Sequence, residues 1–230
     1  MNEILTGSVF FGVCLTLVCY EIGLWIKKKT KLSVANPLLI ATVLVIAVLL
    51  GFHIDYENYQ NGAKYIQFLL TPATVSLAIP LYRQMELLKK YPKAIFGGII
   101  AGVLAAMGSI YLLAVAFQLS HEQYVTLLPK SITTAIGMGV SEKMGGMPAL
   151  TISAICITGI VGAILAELVC KLFKIEEPVA KGLAIGTSAH ALGTSKAMEM
   201  GEVEGAMSSL SIVVTGILTV FAVSFFAKLI

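Results

Sequence analysis

Three stretches of this sequence set hydroxyls, glycines, prolines and ionisable groups among residues that are otherwise almost wholly apolar. In the first, Leu70-Thr71-Pro72-Ala73-Thr74-Val75-Ser76, a threonine stands directly before a proline. That is the pattern of an N-cap followed by proline at the first helical position, so a helix can restart there inside an apolar region. Its free amides would favour an anion. The alternative is a proline kink in which Thr74 and Ser76 bond back to their own helix. The second stretch, Pro129-Lys130-Ser131-Ile132-Thr133-Thr134, surrounds an ammonium with hydroxyls. A lysine at membrane depth costs about 2.5–3.5 kcal/mol on insertion scales unless it meets water, a partner or an anion. Lys130, Ser131, Thr133 and Thr134 together offer the hydrogen bonds a carboxylate needs; at shallow depth Lys130 would simply snorkel to the interface. The third, residues 181–196, carries Gly186, Thr187, Ser188, His190, Gly193 and Thr194. Such a segment is a poor lipid-facing helix and belongs inside protein or around a cavity. His190 can donate to a solute oxygen or carry a proton; the alternative is close packing through Gly182 and Gly186, with His190 tied to a neighbouring hydroxyl.

The chemistry these groups could do is binding of a small polar solute. No cluster has metal-ligand spacing or a nucleophile, base and orienter in a recognisable frame, and the glycine runs lack the strand context of phosphate-binding loops. No enzyme activity, metal or cofactor is expected, a coupling proton aside.

The elements that must hold these groups are membrane helices. The chain has 230 residues, 57% hydrophobic and 13% charged, with a mean hydropathy of +0.90, against roughly 45–50% apolar and 25% charged in soluble domains. At about 20 residues per span this length leaves no room for a separate soluble domain, so one integral membrane domain, 1–230, is expected. The formal net charge of +3 comes from short clusters between apolar runs, which report orientation and give no reason to expect nucleic acid. Cys14, Cys19, Cys156 and Cys170 form no CxxC pair and read as reduced packing residues. The first apolar run is followed by its basic cluster and is long enough to span, so it reads as a transmembrane helix and not a cleavable signal.

Apolar runs mark spans at about 4–26, 35–52, 63–82, 94–119, 148–170, 179–197 and 205–229. Lys27, Lys28, Lys29 and Lys31 mark a cytoplasmic loop, as do Arg83, Lys89, Lys90 and Lys93, while Asp55 and Glu57 suit an outside one. The N-terminus is then outside. Lys171, Lys174 and Lys181 belong inside and Glu199, Glu202 and Glu204 outside only if 126–146 enters and leaves on one side, so that segment reads as a re-entrant hairpin. Glu21 with Lys27 and Glu167 with Lys171 read as interfacial pairs, Glu204 as a helix-start residue, and Gly98 with Gly102 as a helix contact.

Two weak internal matches support inverted repeats, about 1–119 and 120–230. Residues 73–86 lie over 186–199 with Thr74/Thr187, Ala78/Ala191, Met85/Met198 and Glu86/Glu199 identical, and 72–79 lie over 129–136. The expected fold is therefore all-α: a polytopic transmembrane bundle of about seven spans plus a re-entrant hairpin, with broken helices in inverted repeats, as in elevator-like transporters.

The words NPLL, PATVSLAIPLY, LPKSITTAI, GGMPA, KGLAIGTSAHALGTSKAME and EGAMSSLS resemble the LrgB or CidB family of antiholin-like membrane proteins, a resemblance that extends from about residue 36 to 215. The chain differs at Ala135, where the family pattern has proline. The resemblance implies a multi-pass protein of the bacterial cytoplasmic membrane acting with a small holin-like partner of the LrgA or CidA kind. For bacterial members it implies control of murein hydrolase activity and autolysis. Related plastid-envelope proteins imply transport of glycolate and glycerate, and bacterial pairs imply pyruvate uptake. The residues and this second implication agree on a secondary transporter of small monocarboxylates; the alternative is an antiholin-like regulator that transports nothing. The expected solute-binding residues are Thr71, Pro72, Thr74, Ser76, Lys130, Ser131, Thr133, Thr134, Thr187, Ser188, His190 and Thr194. The expected partners are the carboxylate, the LrgA/CidA-type protein, the lipid bilayer and a second copy of the chain in a homodimer.

Overall fold

The computed structural model describes residues 10–30, 35–69, 72, 75–76, 78–83 and 85–230, as helices and the turns between them. Thr71 and Thr74 lie outside the described residues; Pro72 and Ser76 have helical backbone and are exposed. Contacts divide the chain into two compact units, Met1–Ser76 and Leu77–Ile230.

In the first unit, α1 (Phe10–Thr30) packs on α2 (Pro37–Gly51) and α3 (Tyr56–Phe68). Lys27, Lys28 and Lys29 fill the last turn of α1, where cations complement the negative end of the helix dipole. Asn36 Oδ1 accepts from the amides of Leu38 (2.9 Å) and Leu39 (3.4 Å), and Pro37 takes the first helical position of α2, a side-chain cap followed by a residue whose missing amide costs nothing there. Gly12 lies against the backbone of Tyr59 and Ala63, and Gly23 against that of Pro37, so small residues let these helices approach closely.

In the second unit, short helices α4 (Ala78–Arg83) and α5 (Met85–Lys90) lead into α6 (Pro92–Phe117). Ile95, Ile99, Val103, Met107, Ile110 and Ala114 recur at three- and four-residue spacing and are buried, the stripe expected of a helix with one face in a core. They share that core with Met207 and Leu210 of the last long helix, α11 (Glu202–Phe226).

Between α6 and the next long helix, α9 (Pro148–Leu172), lie α7 (His121–Leu127), a turn at 128–133, and α8 (Thr134–Lys143). At 1.5 Å per residue α7 and α8 are about 10 and 15 Å long, well short of a hydrocarbon core of about 30 Å. The segment closes on itself. Met147 N donates to Thr126 Oγ1 (2.8 Å), and the Thr151 hydroxyl lies 2.9 Å from Thr126 O and 2.7 Å from Ser141 Oγ. The chain therefore leaves this segment where it entered, and α8 runs back along α9, with Ser141 beside Thr151 and Gly137 against Ile155.

The largest departure from the sequence expectation is α10 (Pro178–Met200), read above as a span over 179–197. It reverses at His190, whose φ of 42° and ψ of −138° are non-helical. A Cβ on Gly193 would lie 3.1 Å from Ile185 O, a separation that a straight helix makes about 12 Å over eight residues. Ala197 packs with Ile185 and Ala166, and Met200 reaches the pocket that holds Lys181. The helix is thus two arms, 178–189 and 191–200, folded against each other. Gly182 lies against Glu204 and Met207, and Gly186 against Ser208 and Ser211, so the outgoing arm runs parallel to α11. Gly205 lies against Met198, and Thr194 Oγ1 is 2.7 Å from Ser208 Oγ, so the returning arm runs antiparallel to it. Glu202 and Met200 consequently lie at the same end of the unit as Lys181, and the acidic loop expected opposite Lys171, Lys174 and Lys181 does not cross. Hydropathy measures the length of an apolar run and carries no information about its direction after a left-handed corner.

Among the described residues, four helical stretches are long and apolar enough to cross a membrane: Phe10–Thr30, Pro92–Phe117, Pro148–Leu172 and Glu202–Leu229, while Pro37–Gly51 is shorter.

Candidate functional site

α6 and the outgoing arm of α10 run side by side in the same direction, Gly98 facing Leu183 and Gly102 facing Thr187. Between them opens a cavity of about 910 Å³. Its α6 wall is Ala94, Gly98, Gly102, Ala105, Ala106 and Ser109, and its α10 wall is Val179, Ala180, Leu183, Ala184, Thr187 and Ser188. Tyr91 and Glu177 stand where both helices begin. Lys130 and Ser131 enter from the turn between α7 and α8. Thr187 and Ser188 lie about ten residues, roughly 15 Å, along the arm from Pro178, so the polar groups gather at depth. At about 30 Å³ per water the cavity has room for roughly 30 waters, far more than a two- or three-carbon acid fills. It is a vestibule with a polar floor.

The floor separates donors from acceptors. Lys130 Nζ donates to Ser131 Oγ at 3.0 Å, which leaves the Ser131 hydroxyl proton and the other ammonium protons for a ligand. No carboxylate pairs with Lys130 among the described residues. Thr187 Oγ1 donates to Leu183 O (2.8 Å), Ser188 Oγ to Ala184 O (2.7 Å) and Ser109 Oγ to Ala106 O (2.7 Å). With their protons committed to their own helices, these hydroxyls turn lone pairs outward. The arrangement suits a molecule with an anionic end for Lys130 and Ser131 and a hydroxyl donor for Thr187 and Ser188.

His190, Thr194, Thr133 and Thr134 lie away from this floor. His190 is buried at the α10 corner, its Nε2 2.9 Å from Ile155 O and its ring against Gly159. Since a carbonyl only accepts, Nε2 carries the proton, and the bond holds the corner to the middle of α9. Thr194 is buried between the returning arm and α11, within 3.0 Å of His190 O and 2.7 Å of Ser208 Oγ. Thr133 precedes α8 and is half-buried, while Thr134 is exposed; neither lines the cavity. The structure thus brings together Lys130, Ser131, Thr187 and Ser188.

Gly98 and Gly102 make a helix contact, as the sequence suggested, against Leu183 and Thr187 of α10; what sequence reasoning missed is that the same stripe walls a cavity. The signal was the longer series of small residues from Ala94 through Gly98, Gly102 and Ala105 to Ser109, one stripe down a helix otherwise rich in large apolar residues. Nor did sequence reasoning foresee the partner of Glu167 on α10: Glu167 Oε1 lies 2.6 Å from Lys196 Nζ, which is also 3.3 Å from Glu199 Oε2; only the reversal at His190 brings Lys196 to that level of α9.

Residues 16–229 match the model of the LrgB-like family. The chain is 42% identical over 226 residues to the antiholin-like protein LrgB of Bacillus subtilis (strain 168), covering 98% of each chain. It is 39% identical over 222 residues to the antiholin-like protein LrgB of Bacillus mycoides (strain KBAB4), covering 96% of each, and equally so to that of Bacillus cereus (strain B4264). No solved structure matches it. With apolar helices of membrane-crossing length and a family match over nearly its whole length, the chain belongs to the LrgB-like family of antiholin-like membrane proteins.

Proposed function

We propose that this chain is a secondary transporter of small monocarboxylates, with a preference for 2-hydroxy acids, that works with an LrgA/CidA-type partner as a homodimer in the bacterial cytoplasmic membrane. The observation that carries the reading is Lys130, which shares the floor of a deep cavity with Ser131, Thr187 and Ser188 and has no carboxylate partner among the described residues. The carboxylate binds Lys130 and Ser131, and the 2-hydroxyl donates to Thr187 or Ser188. A 2-oxo acid offers no donor there, which sets glycolate, lactate and glycerate above pyruvate.

The two folded-back segments support alternating access. One closes at Thr126 and Met147; the other turns at His190 and returns beside Lys181. Each precedes a long helix that crosses the unit, α9 or α11, and α9 runs antiparallel to the outgoing arm of α10. This favours two inverted modules, 121–172 and 178–226, with 126–146 re-entering from one side and α10 from the other. Broken helices meeting at midplane are the usual frame of such a site. His190, fixed to α9, is the group proposed to link a proton to the movement.

Uptake of glycolate, glycerate, lactate and pyruvate into proteoliposomes, with and without the partner and a proton gradient, tests the reading. Hydroxy acids should be taken up faster than pyruvate; no uptake of any of them would contradict it. The relatives' name, antiholin-like, favours a second reading in which the chain controls autolysis through its partner and carries nothing. That reading predicts partner binding that survives replacement of Lys130, Thr187 and Ser188, and no flux.

A further inference from the structure

Among the hydroxyls of the cavity's polar floor, one has no part in holding a two-carbon acid. A carboxylate on Lys130 and Ser131 and a single hydroxyl on Thr187 or Ser188 leave Ser109 unused. Ser109 lines the same cavity from the opposite wall, α6. Its Oγ donates to Ala106 O at 2.7 Å, so it too has committed its proton and presents lone pairs that call for a donor.

Helical register gives the spacing. Gly102 faces Thr187, and Ser109 stands further along α6 by about 10 Å at 1.5 Å per residue. That is past the level of His190, where the outgoing arm of α10 ends. Two hydrogen bonds of about 2.8 Å cover more than half of such a span, which leaves roughly 4–5 Å between the two solute oxygens. Glycolate and lactate have one hydroxyl and meet one wall. The hydroxyls of glycerate sit on neighbouring carbons, no more than roughly 3.6 Å apart at about 1.5 Å per bond. Hydroxyls on carbons two or more apart reach about 5 Å, which takes a longer chain. The wall between the acceptors is Ala105 and Ala106, with no side chain beyond Cβ to block a chain laid along it.

The cavity also carries Val179, Leu183 and Ala184, against which an alkyl tail can pack. An alkyl chain across the floor, however, would strip Thr187, Ser188 and Ser109 of water and give no donor in return. A buried acceptor left unsatisfied costs more than a formed hydrogen bond contributes. The three acceptors therefore favour a hydroxylated chain.

We propose that the cavity takes polyhydroxy monocarboxylates longer than glycerate, the aldonic acids of about four to six carbons. The carboxylate lies on Lys130 and Ser131, one hydroxyl donates to Thr187 or Ser188, and a hydroxyl further along the chain donates to Ser109. The inference rests on the reading of Lys130 as the carboxylate's partner and extends it to a longer solute.

The test is thermal unfolding of the purified full chain in neutral micelles titrated with the sodium salts of gluconate, glycolate and hexanoate, all monoanions. Gluconate should raise Tm with an affinity at least about threefold above that of glycolate. Hexanoate, equal to gluconate in length but without hydroxyls, should bind more weakly than gluconate. Ser109→Ala should lower the ratio of gluconate to glycolate affinity about threefold, while Ser109→Thr, which keeps the acceptor, should preserve it. Gluconate binding no tighter than hexanoate or glycolate, or a ratio that Ser109→Ala leaves unchanged, would overturn the proposal and leave the reading of Lys130 standing. Glycolate binding that Lys130→Gln leaves unchanged would overturn that reading, and the proposal with it.

Discussion

Lys130 donates to the residue beside it, Ser131, at 3.0 Å, and its remaining protons face a cavity. That a lysine sits in an apolar neighbourhood was legible in the sequence, because charge there is costly enough to require a reason. Thr187 and Ser188 were legible for the same cause, as hydroxyls flanked by glycine. The α6 wall was not, because alanine, glycine and serine serve close packing and cavity lining alike. His190 was legible as unusual but not as a corner, since its role lies in backbone angles that any polar residue could conceal. Thr215 shows the reverse. Thr187, Ser188, Thr194, Ser209 and Ser211 all donate to a carbonyl one turn back, yet Thr215 Oγ1 is buried with no hydrogen-bond partner among the described residues. Burying an unsatisfied hydroxyl costs about 1–3 kcal/mol. Thr215→Val, of the same shape without the hydroxyl, should therefore raise stability by roughly 1 kcal/mol in denaturant unfolding in micelles. A loss of similar size would mean the hydroxyl has a partner, such as an ordered water.

At the scale of elements, proline marks the starts. Pro37, Pro92, Pro148 and Pro178 each occupy the first turn of a long helix, so the beginnings of α2, α6, α9 and α10 could be placed from sequence. The segment 126–146, set apart by charge asymmetry, folds as α7, a turn and α8, joined at Thr126 and Met147. The reversal in α10 escaped because its two arms and the corner between them total 23 residues, the length of one span. The corner makes its own prediction. In a helix interior alanine is favoured over glycine by about 1 kcal/mol, but φ 42° with ψ −138° suits glycine alone. Both His190→Ala and His190→Gly lose the bond to Ile155 O, so their difference isolates the backbone. His190→Gly should be the more stable by roughly 1 kcal/mol in the same unfolding assay. The opposite order would make α10 a continuous helix.

At the scale of the molecule, hydropathy was sufficient for an all-helical membrane protein, and the family match agrees with the resemblance carried by the sequence words. Side assignments after residue 178 were not legible, because each depends on counting crossings and α10 does not cross. Single cysteines in a cysteine-free background report this directly. Glu177→Cys and Glu202→Cys should react with a membrane-impermeant maleimide from one face, and Glu122→Cys and Lys143→Cys from the other. Labelling of positions 177 and 202 from opposite faces would restore the full crossing and remove the folded-back arm.

The central claim is that Lys130 holds a solute's carboxylate. A charge-assisted hydrogen bond contributes about 1.5–3 kcal/mol, equivalent to roughly 10- to 150-fold in affinity. The direct test compares glycolate uptake into proteoliposomes by the native chain and by Lys130→Gln, with Tm confirming that both are folded. Saturable, gradient-driven uptake that falls at least about tenfold in Lys130→Gln is the predicted result; uptake that Lys130→Gln leaves unchanged would contradict it.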